Sequence, residues 1–217
     1  TGVLTCALPI SGKYRLLANV PLAIASAIGV AVIPNIVIAY TNNDEKTLFS
    51  KIAQSIKFNM MIVIPCAFGL CVLARPIMEL LFADTTEMTT NLMQLGAMAI
   101  IFYAYTTTTG NVLQGLNRLR YPVIHSAIGI VIYALIDYLL LSFTSMGVYA
   151  LVIGHTIFPM VVSTLNWFRI EHDIGYIQEI RKTFLLPFLS SAVMAFVAYF
   201  SYLGVRSIID SCFISLI

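Results

Sequence analysis

The chain has 217 residues, of which 59% are hydrophobic and only 10% are charged. Soluble domains carry roughly a quarter of charged residues, so this composition predicts a membrane protein. Twelve Lys and Arg against ten Asp and Glu give a net charge of +2, and no basic block is interleaved with aromatic residues. Nucleic-acid binding is therefore not expected.

The first ten residues, TGVLTCALPI, match no helix cap and no signal peptide. They resemble a translated sequencing adapter, TGVQTCALPI, at all but one position. We therefore expect residues 1–10 to be non-native and the native sequence to begin near Ser11. Residues 11–206 are expected to form one transmembrane lobe, and residues 207–217 to be the start of a further span. On this interpretation the sequence is a piece of a longer membrane protein.

Six long apolar runs follow, each about the length at which a helix crosses the ~30 Å hydrocarbon core of a bilayer. They are apolar on all faces, whereas the surface helices of soluble proteins are amphipathic. The predicted spans are Leu16–Tyr40, Ile52–Ala74, Leu92–Leu113, Val123–Phe143, Met146–Phe168 and Phe184–Val205. The expected fold is an all-α polytopic transmembrane helix bundle with six complete spans and the start of a truncated seventh.

Shorter apolar segments between the spans are predicted to lie at the membrane surface. Two of them have apolar residues at helical spacing and neighbouring charges, which is typical of interfacial helices. Their apolar residues are Leu48, Ile52 and Ile56 before the second span, and Ile174, Ile177 and Ile180 before the sixth. The first of these helices is expected to bend into the second span. Residues 76–82 (PIMELLF) are too short to cross a bilayer.

Eight of the twelve lysines and arginines lie at the loops that follow the first, third and fifth spans. They are Lys46, Lys51, Lys57, Arg118, Arg120, Arg169, Arg181 and Lys182. The opposite side carries Lys13, Arg15, Arg75 and Arg206. By the positive-inside rule, the side with eight cations is expected to face the cytoplasm.

Asp137 is the one acidic residue near the middle of a predicted span. Ionisable groups in the membrane are costly and often mark ion or substrate pathways. Asp137 is therefore a candidate for proton or cation coupling. The alternative is a carboxyl group that only hydrogen-bonds to a neighbouring helix.

A polar patch in the third span comprises Thr106–Thr109 and Asn111, and Gln114 continues it. The threonines can bond carbonyls of their own helix, but such a patch should face a cavity or another helix rather than lipid. Arg15, at the outer end of the first span, is either a snorkelling anchor or a residue that binds an anion such as phosphate. Arg15, Asn111 and Gln114 are our candidate substrate-binding residues.

No sequence motif indicates an enzyme. The chain has no G-x-S-x-G, no H-E-x-x-H and no phosphate-binding glycine loop. Its four cysteines form no C-x-x-C pair, so neither a metal site nor a disulfide is expected. His125 and His155 lie within spans, where a histidine either relays protons or forms a packing hydrogen bond. We expect no catalytic residue, no metal and no cofactor.

Three stretches resemble one transporter group. They are Asn19–Ile38 (NVPLAIASAIGVAVIPNIVI), Pro65–Phe82 (PCAFGLCVLARPIMELLF) and Val112–Pro122 (VLQGLNRLRYP). These stretches are similar to the multidrug/oligosaccharidyl-lipid/polysaccharide exporter superfamily. Within it they most resemble the polysaccharide-biosynthesis branch, which contains stage V sporulation protein B and the lipid II flippases. The resemblance extends from about Lys13 to Arg206.

The resemblance implies a cytoplasmic-membrane protein of two six-helix lobes, of which this chain would be most of the C-terminal lobe. Such proteins move a polyprenyl-linked sugar precursor across the membrane by alternating access, around a central cationic cavity. The implied partners are this lipid-linked precursor, membrane lipids and the missing N-terminal lobe. The implied roles are peptidoglycan or polysaccharide synthesis and sporulation. Arg15, six residues before Pro21, is the nearest match to an essential arginine of the lipid II flippases.

Two alternatives stay open. A cation-coupled multidrug antiporter of the same superfamily would need an acidic cation site, for which Asp137 is the candidate. A non-transporting scaffold for cell-wall or spore assembly would have a dry, well-packed interior, against which the polar patch in the third span argues.

Overall fold

The computed structural model describes residues 2–82, 86–143 and 148–214, with side chains described within 16–82, 86–143 and 149–204. These parts of the chain are helical almost throughout and contain no strand, which confirms the expected all-α bundle. The helices are α1 (Gly2–Thr41), α2 (Glu45–Val72), α3 (Ala74–Phe82), α4 (Glu87–Gly115), α5 (Arg120–Phe143), α6 (Val148–Ile174) and α7 (Leu186–Ile214). A π-helical turn, Arg181–Leu185, precedes α7.

Five described helices are long and apolar enough to cross a membrane, one fewer than the six complete spans expected. They are Leu16–Thr41, Glu45–Val72, Arg120–Phe143, Tyr149–Ile174 and Arg181–Gly204. The predicted third span, Leu92–Leu113, is helical as part of α4 but is less apolar, because its threonines, Asn111 and other polar residues lower its mean hydropathy.

Helix α4 lies at the centre of the bundle, in contact with α1, α2, α3 and α6. Gly96, Ala97, Ala99 and Ile100 are all buried, and these positions cover more than one face of the helix. A helix that is enclosed by other helices does not need an apolar surface towards lipid. This position explains why α4 can be less apolar than the other long helices.

The expected interfacial helix before the second span is instead the first part of α2, which runs without a break from Glu45 to Val72. Leu48, Ile52 and Ile56 are buried at 4% exposure or less and belong to the core between α1, α2 and α4. Their apolar face therefore packs against protein and not against headgroups. The structure thus corrects the expectation of a separate helix that bends into the second span.

The second expected interfacial helix is also absent. Ile174 ends α6, and residues 175–179 are not helical. Ile177 and Ile180 are exposed, while Tyr176 and Gln178 point inwards and are buried. Gly175, whose φ of +67° suits glycine, makes the turn out of α6.

The linker after α6 is fixed to the bundle by its buried polar side chains. Tyr176 packs against Phe49 of α2 with ring centroids 5.8 Å apart. Its hydroxyl donates to Gln178 Oε1 (3.2 Å), and Gln178 Nε2 donates to Thr183 Oγ1 (2.9 Å). Burial, and secondly the charge of Glu179, raises the pKa of Tyr176 to about 12, so this hydroxyl stays protonated.

The C-terminal ends of α1, α4 and α6 meet the N-terminal ends of α2 and α5 at one end of the bundle. Asp173 of α6 pairs there with Arg169 (2.7 Å) and with Arg118 from the α4–α5 loop (3.5 Å). The Arg169 guanidinium also lies 3.8 Å over the ring of Tyr121. We call residues 42–57, 116–121 and 169–183 the cation-rich end, which the positive-inside rule places in the cytoplasm.

Candidate functional site

The polar patch of α4 faces other helices and not lipid. Thr108 is fully buried, donates to Ala104 O (2.8 Å) and accepts a hydrogen bond from Asn59 Nδ2 of α2. Asn59 Nδ2 also lies 3.4 Å from Ala25 O of α1. Thr108 and Asn59 thus connect three helices through polar contacts inside the bundle.

The neighbouring threonines connect α4 to the other side of the bundle. Thr106 donates to Pro159 O of α6 (2.9 Å). Thr109 accepts from Asn166 Nδ2 of α6 (3.3 Å), and Asn166 Oδ1 lies 2.7 Å from His125 Nδ1 of α5. His125 therefore forms a packing hydrogen bond, the second of the two roles considered for it. His155 lies 3.2 Å from the hydroxyl of Tyr103 in α4.

Asn111 lies at the interface between α4 and α1. Its side chain abuts Gly29 so closely that a Cβ at position 29 would collide with the amide. The Nδ2 atom is buried and has no hydrogen-bond partner among the described residues. Nearer the cation-rich end, Ile36 of α1 packs against Gly115 of α4, and a Cβ at position 115 would collide with the Ile36 side chain.

The three candidate substrate-binding residues do not lie together. Gln114 is exposed at the cation-rich end of α4, next to Gly115, which contacts Ile36. Arg15 precedes Ile36 by 21 positions in the continuous helix α1, which separates the two levels by about 30 Å. The side chain of Arg15 itself lies outside the described residues. Arg15 and Gln114 are therefore at opposite ends of the bundle.

Asp137 lies in the interface between α5 and α6. It is only 8% exposed, and its carboxyl contacts the backbone of Gly154 so closely that a Cβ there would collide with it. Tyr133, one turn earlier in α5, hydrogen-bonds to the carboxyl group. Oδ1 has no hydrogen-bond partner in the described part of the chain. A buried carboxylate oxygen with no partner can accept a proton or a cation.

A groove that the sequence did not indicate runs between α1 and α2, and most of its open surface is apolar. It has a volume of about 220 Å³. Its lining residues are Ile28, Val32, Asn35, Lys51, Gln54, Ser55 and Phe58. Lys51, Gln54, Ser55 and Phe58 share one side of α2, and this spacing was the available signal. From the sequence, Lys51 was expected on an interfacial helix instead.

A second cavity, of about 260 Å³, lies at the cation-rich end and is lined by Asn43, Asp44, Glu45 and Asp173, among others. Asp173 is already engaged by two arginines, and Asp44 caps α2 by accepting from Thr47 N (3.1 Å). Within the described ranges, no group of three or more His, Cys, Asp or Glu side chains is arranged to hold a metal ion. Cys66 and Cys71 are free thiols.

Comparison with known proteins gives two matches. The family model described as lipid II flippase MurJ matches residues 15–215. The lipid II flippase MurJ of Bacillus subtilis (strain 168) is 25% identical over 183 residues, which are 81% of this chain and 33% of that protein. The chain thus spans about a third of the length of this curated relative. No solved structure matches the chain.

Proposed function

The chain belongs to the lipid II flippase MurJ family, and from this membership we propose that it is the C-terminal lobe of a flippase for a lipid-linked cell-wall precursor. It is a multi-pass protein of the cytoplasmic membrane and a transporter, not an enzyme. The observation that carries the proposal is the extent of the family match, which includes all five described helices that are able to span a membrane. The precursor, the alternating-access mechanism and the partner lobe belong to the proposal.

The groove between α1 and α2 is the described cavity that we assign to the substrate headgroup. Lys51, Asn35, Gln54 and Ser55 are among its lining residues, and most of its open surface is apolar. Lys51 is the cation among these residues and belongs to the cation-rich end. We propose that this groove faces the transport pathway and that Lys51 contacts the anionic headgroup of the precursor.

The candidate residues from the sequence take different parts in this proposal. Arg15 would bind the pyrophosphate near the outer end of the path, and Gln114 would contact the substrate near the cation-rich end. Asn111, which packs against Gly29, would act on the spacing between α1 and α4 at the edge of the path.

Asp137 is the proposed coupling residue. Its carboxyl group lies between α5 and α6, and its Oδ1 atom has no hydrogen-bond partner among the described residues. Protonation or cation binding there would change the charge buried in this interface. The alternative antiporter function rests on the same residue.

Complementation of a bacterial strain depleted of its own lipid II flippase tests the proposal. The whole gene, recovered from its source, should restore growth, whereas the empty vector should not. Arg15→Ala should abolish rescue. Lys13→Ala is the matched control, because it removes a different cation from the same end of the helix. Failure of the inserted, full-length protein to rescue growth would contradict the flippase proposal.

The same strain separates the flippase from an antiporter. In the flippase, Asp137→Asn should slow precursor transport and leave drug accumulation unchanged. An antiporter would show increased drug accumulation in cells that carry Asp137→Asn and no rescue by the wild type. A scaffold would be indifferent to both Arg15→Ala and Asp137→Asn.

A further inference from the structure

An apolar cavity of about 370 Å³ lies between α4, α6 and the beginning of α7. Such a volume is within the usual range of ligand pockets, about 300–1,000 Å³. Phe102 and Tyr105 of α4, Trp167 of α6 and Phe188 of α7 form much of its wall. The lining is mostly hydrocarbon and aromatic surface, so an apolar ligand is favoured over a polar one.

The cavity exists because α7 stands away from α6. Helices α4 and α6 pack closely on each other, whereas α7 packs mainly on α2 and on the π-helical turn. Thr164, Ile180 and Phe188 in the wall are exposed, so the cavity opens on the outer surface of the bundle. No described residue closes the cavity at these three side chains.

The lining residues of the cavity extend from the cation-rich end towards the middle of the helices. At the cation-rich end it begins at Gln178 and Ile180 of the linker. Along α4 its wall extends from Tyr105 to Met98, which is seven residues or about 10 Å of helix. A wall of this length could cover about two thirds of an acyl chain in one leaflet, since half of a ~30 Å hydrocarbon core is ~15 Å.

Two cations follow Ile180, a lining residue of the cavity, in the sequence. Arg181 and Lys182 are exposed and lie between Ile180 and Phe184, both of which line the cavity. Lys182 pairs with Glu179 (3.0 Å). None of the ion pairs formed among the described residues engages Arg181. Basic residues at this level attract the anionic lipids of the cytoplasmic leaflet.

We propose that this cavity, with Arg181 and Lys182 at its mouth, is a binding site for an anionic phospholipid of the cytoplasmic leaflet. One acyl chain lies in the cavity between α4, α6 and α7, and the phosphate lies against Arg181. The two ends of the site, apolar inside and cationic at the membrane surface, match the two parts of one amphiphile. The lipid fills the space between α6 and α7 and thereby fixes α7 to the lobe.

The test uses the protein expressed from its whole gene, in phosphatidylcholine nanodiscs that contain a photoactivatable phosphatidylglycerol with a diazirine on its acyl chain. Cross-links mapped by mass spectrometry should fall in residues 98–105, 163–167 and 184–188. The same probe with a phosphatidylcholine headgroup should label these peptides about fivefold less, the effect of one basic residue near a membrane surface.

Two variants with matched controls locate the headgroup and the chain. Arg181→Gln should lower labelling by the phosphatidylglycerol probe to the level of the phosphatidylcholine probe, while Lys46→Gln, an exposed lysine outside the cavity, should not. Thr164→Phe, at an exposed position in the wall, should obstruct the cavity and abolish its labelling. Val193→Phe adds the same ring to an exposed position of α7 outside the cavity and should leave labelling unchanged.

Three results would overturn the proposal. Equal labelling by both headgroups, unaffected by Arg181→Gln, would mean that the mouth does not recognise an anion. Absence of labelling in the cavity peptides would mean that another part of the whole protein fills the space. Displacement of the phosphatidylglycerol probe by an equal amount of a polyprenyl phosphate would assign the cavity to the transported substrate instead.

Discussion

His125 of α5 and Asn166 of α6 form a buried hydrogen bond of 2.7 Å between Nδ1 and Oδ1. Because a carbonyl oxygen only accepts, the proton of this bond is on His125 Nδ1. The amide nitrogen of Asn166 in turn donates to Thr109 of α4 (3.3 Å). One asparagine therefore joins three helices, and its position in α6 fixes the orientation of the histidine.

A double-mutant cycle measures what this bond contributes. His125→Phe and Asn166→Leu each remove one partner, and we expect the pair to show a coupling energy of about 0.6 kcal/mol, at most about 1.7 kcal/mol. The measurement is the free energy of unfolding in mixed detergent micelles. His125→Phe combined with Ser190→Ala of α7, which packs mainly on α2 and the π-helical turn, should be additive. A coupling energy no larger than that of this control pair would show that the bond contributes nothing.

The carboxyl group of Asp137 lies so close to Gly154 that a larger residue at position 154 would collide with it. Gly154→Ala would place a methyl group against that carboxyl, and we expect it to lower the free energy of unfolding by about 1–3 kcal/mol, as overpacking does. Gly204→Ala in α7 is the matched control, because nothing lies near its Cβ position and alanine favours a helix by about 1 kcal/mol. The measurement is chemical unfolding of the purified protein.

A third variant shows whether the loss in Gly154→Ala comes from this contact. Gly154→Ala combined with Asp137→Ala should recover most of the lost stability, since the methyl group then meets a shorter side chain. If the double variant is as unstable as the sum of both single variants, the contact between α5 and α6 is not the cause.

The sequence predicts the helices well because membrane helices are long and uniformly apolar. The predicted span Val123–Phe143 is α5, Arg120–Phe143, with a difference of three residues at its start. Prediction fails where it depends on what covers a helix. The spacing of Leu48, Ile52 and Ile56 gives one apolar face but does not distinguish lipid headgroups from α1 and α4. The polar residues of α4 indicate a cavity or another helix next to them, but they do not identify α1, α2 and α6 as its neighbours.

The candidate site was less predictable for a related reason. Asn59 and Thr108 are 49 residues apart, and neither position alone indicates the other as its partner. Asp137 was found because an acid in a span is conspicuous, whereas its contact with Gly154 requires the packing of α5 on α6. The groove at Lys51 was not predicted because it is formed jointly with α1.

Asp44 should give the first turn of α2 a dependence on pH. Its carboxyl accepts hydrogen bonds from Thr47 Oγ1 (2.6 Å) and Thr47 N (3.1 Å), and these bonds hold the pKa of Asp44 below its ordinary value of 3.8. Because the pKa is lowered in the folded state, the stabilisation by the cap is fully present above the ordinary pKa of 3.8. It is lost as the pH falls through the lower pKa of the folded state.

Amide hydrogen exchange of Thr47, corrected for the intrinsic rate, measures this effect. Protection should be constant near neutral pH and should fall below pH 3.8. Asp44→Asn keeps an acceptor oxygen but does not titrate, so its protection should not change with pH. Asp44→Ala should show reduced protection throughout. An identical pH profile in wild type and Asp44→Asn would exclude the carboxyl as the titrating group.

Lys51 offers the sharpest test of the groove between α1 and α2. Lys51→Gln removes the charge proposed to contact the headgroup, and a hydrogen bond to a charged group contributes about 1.5–3 kcal/mol. We therefore expect precursor transport to fall by about ten- to a hundredfold in the depleted strain, with normal membrane insertion. Lys57→Gln is the matched control, since Lys57 is an exposed lysine of the same helix outside the groove. Equal losses in both variants would show that transport depends on the total positive charge of α2. That result would contradict the proposal that the groove contacts the headgroup.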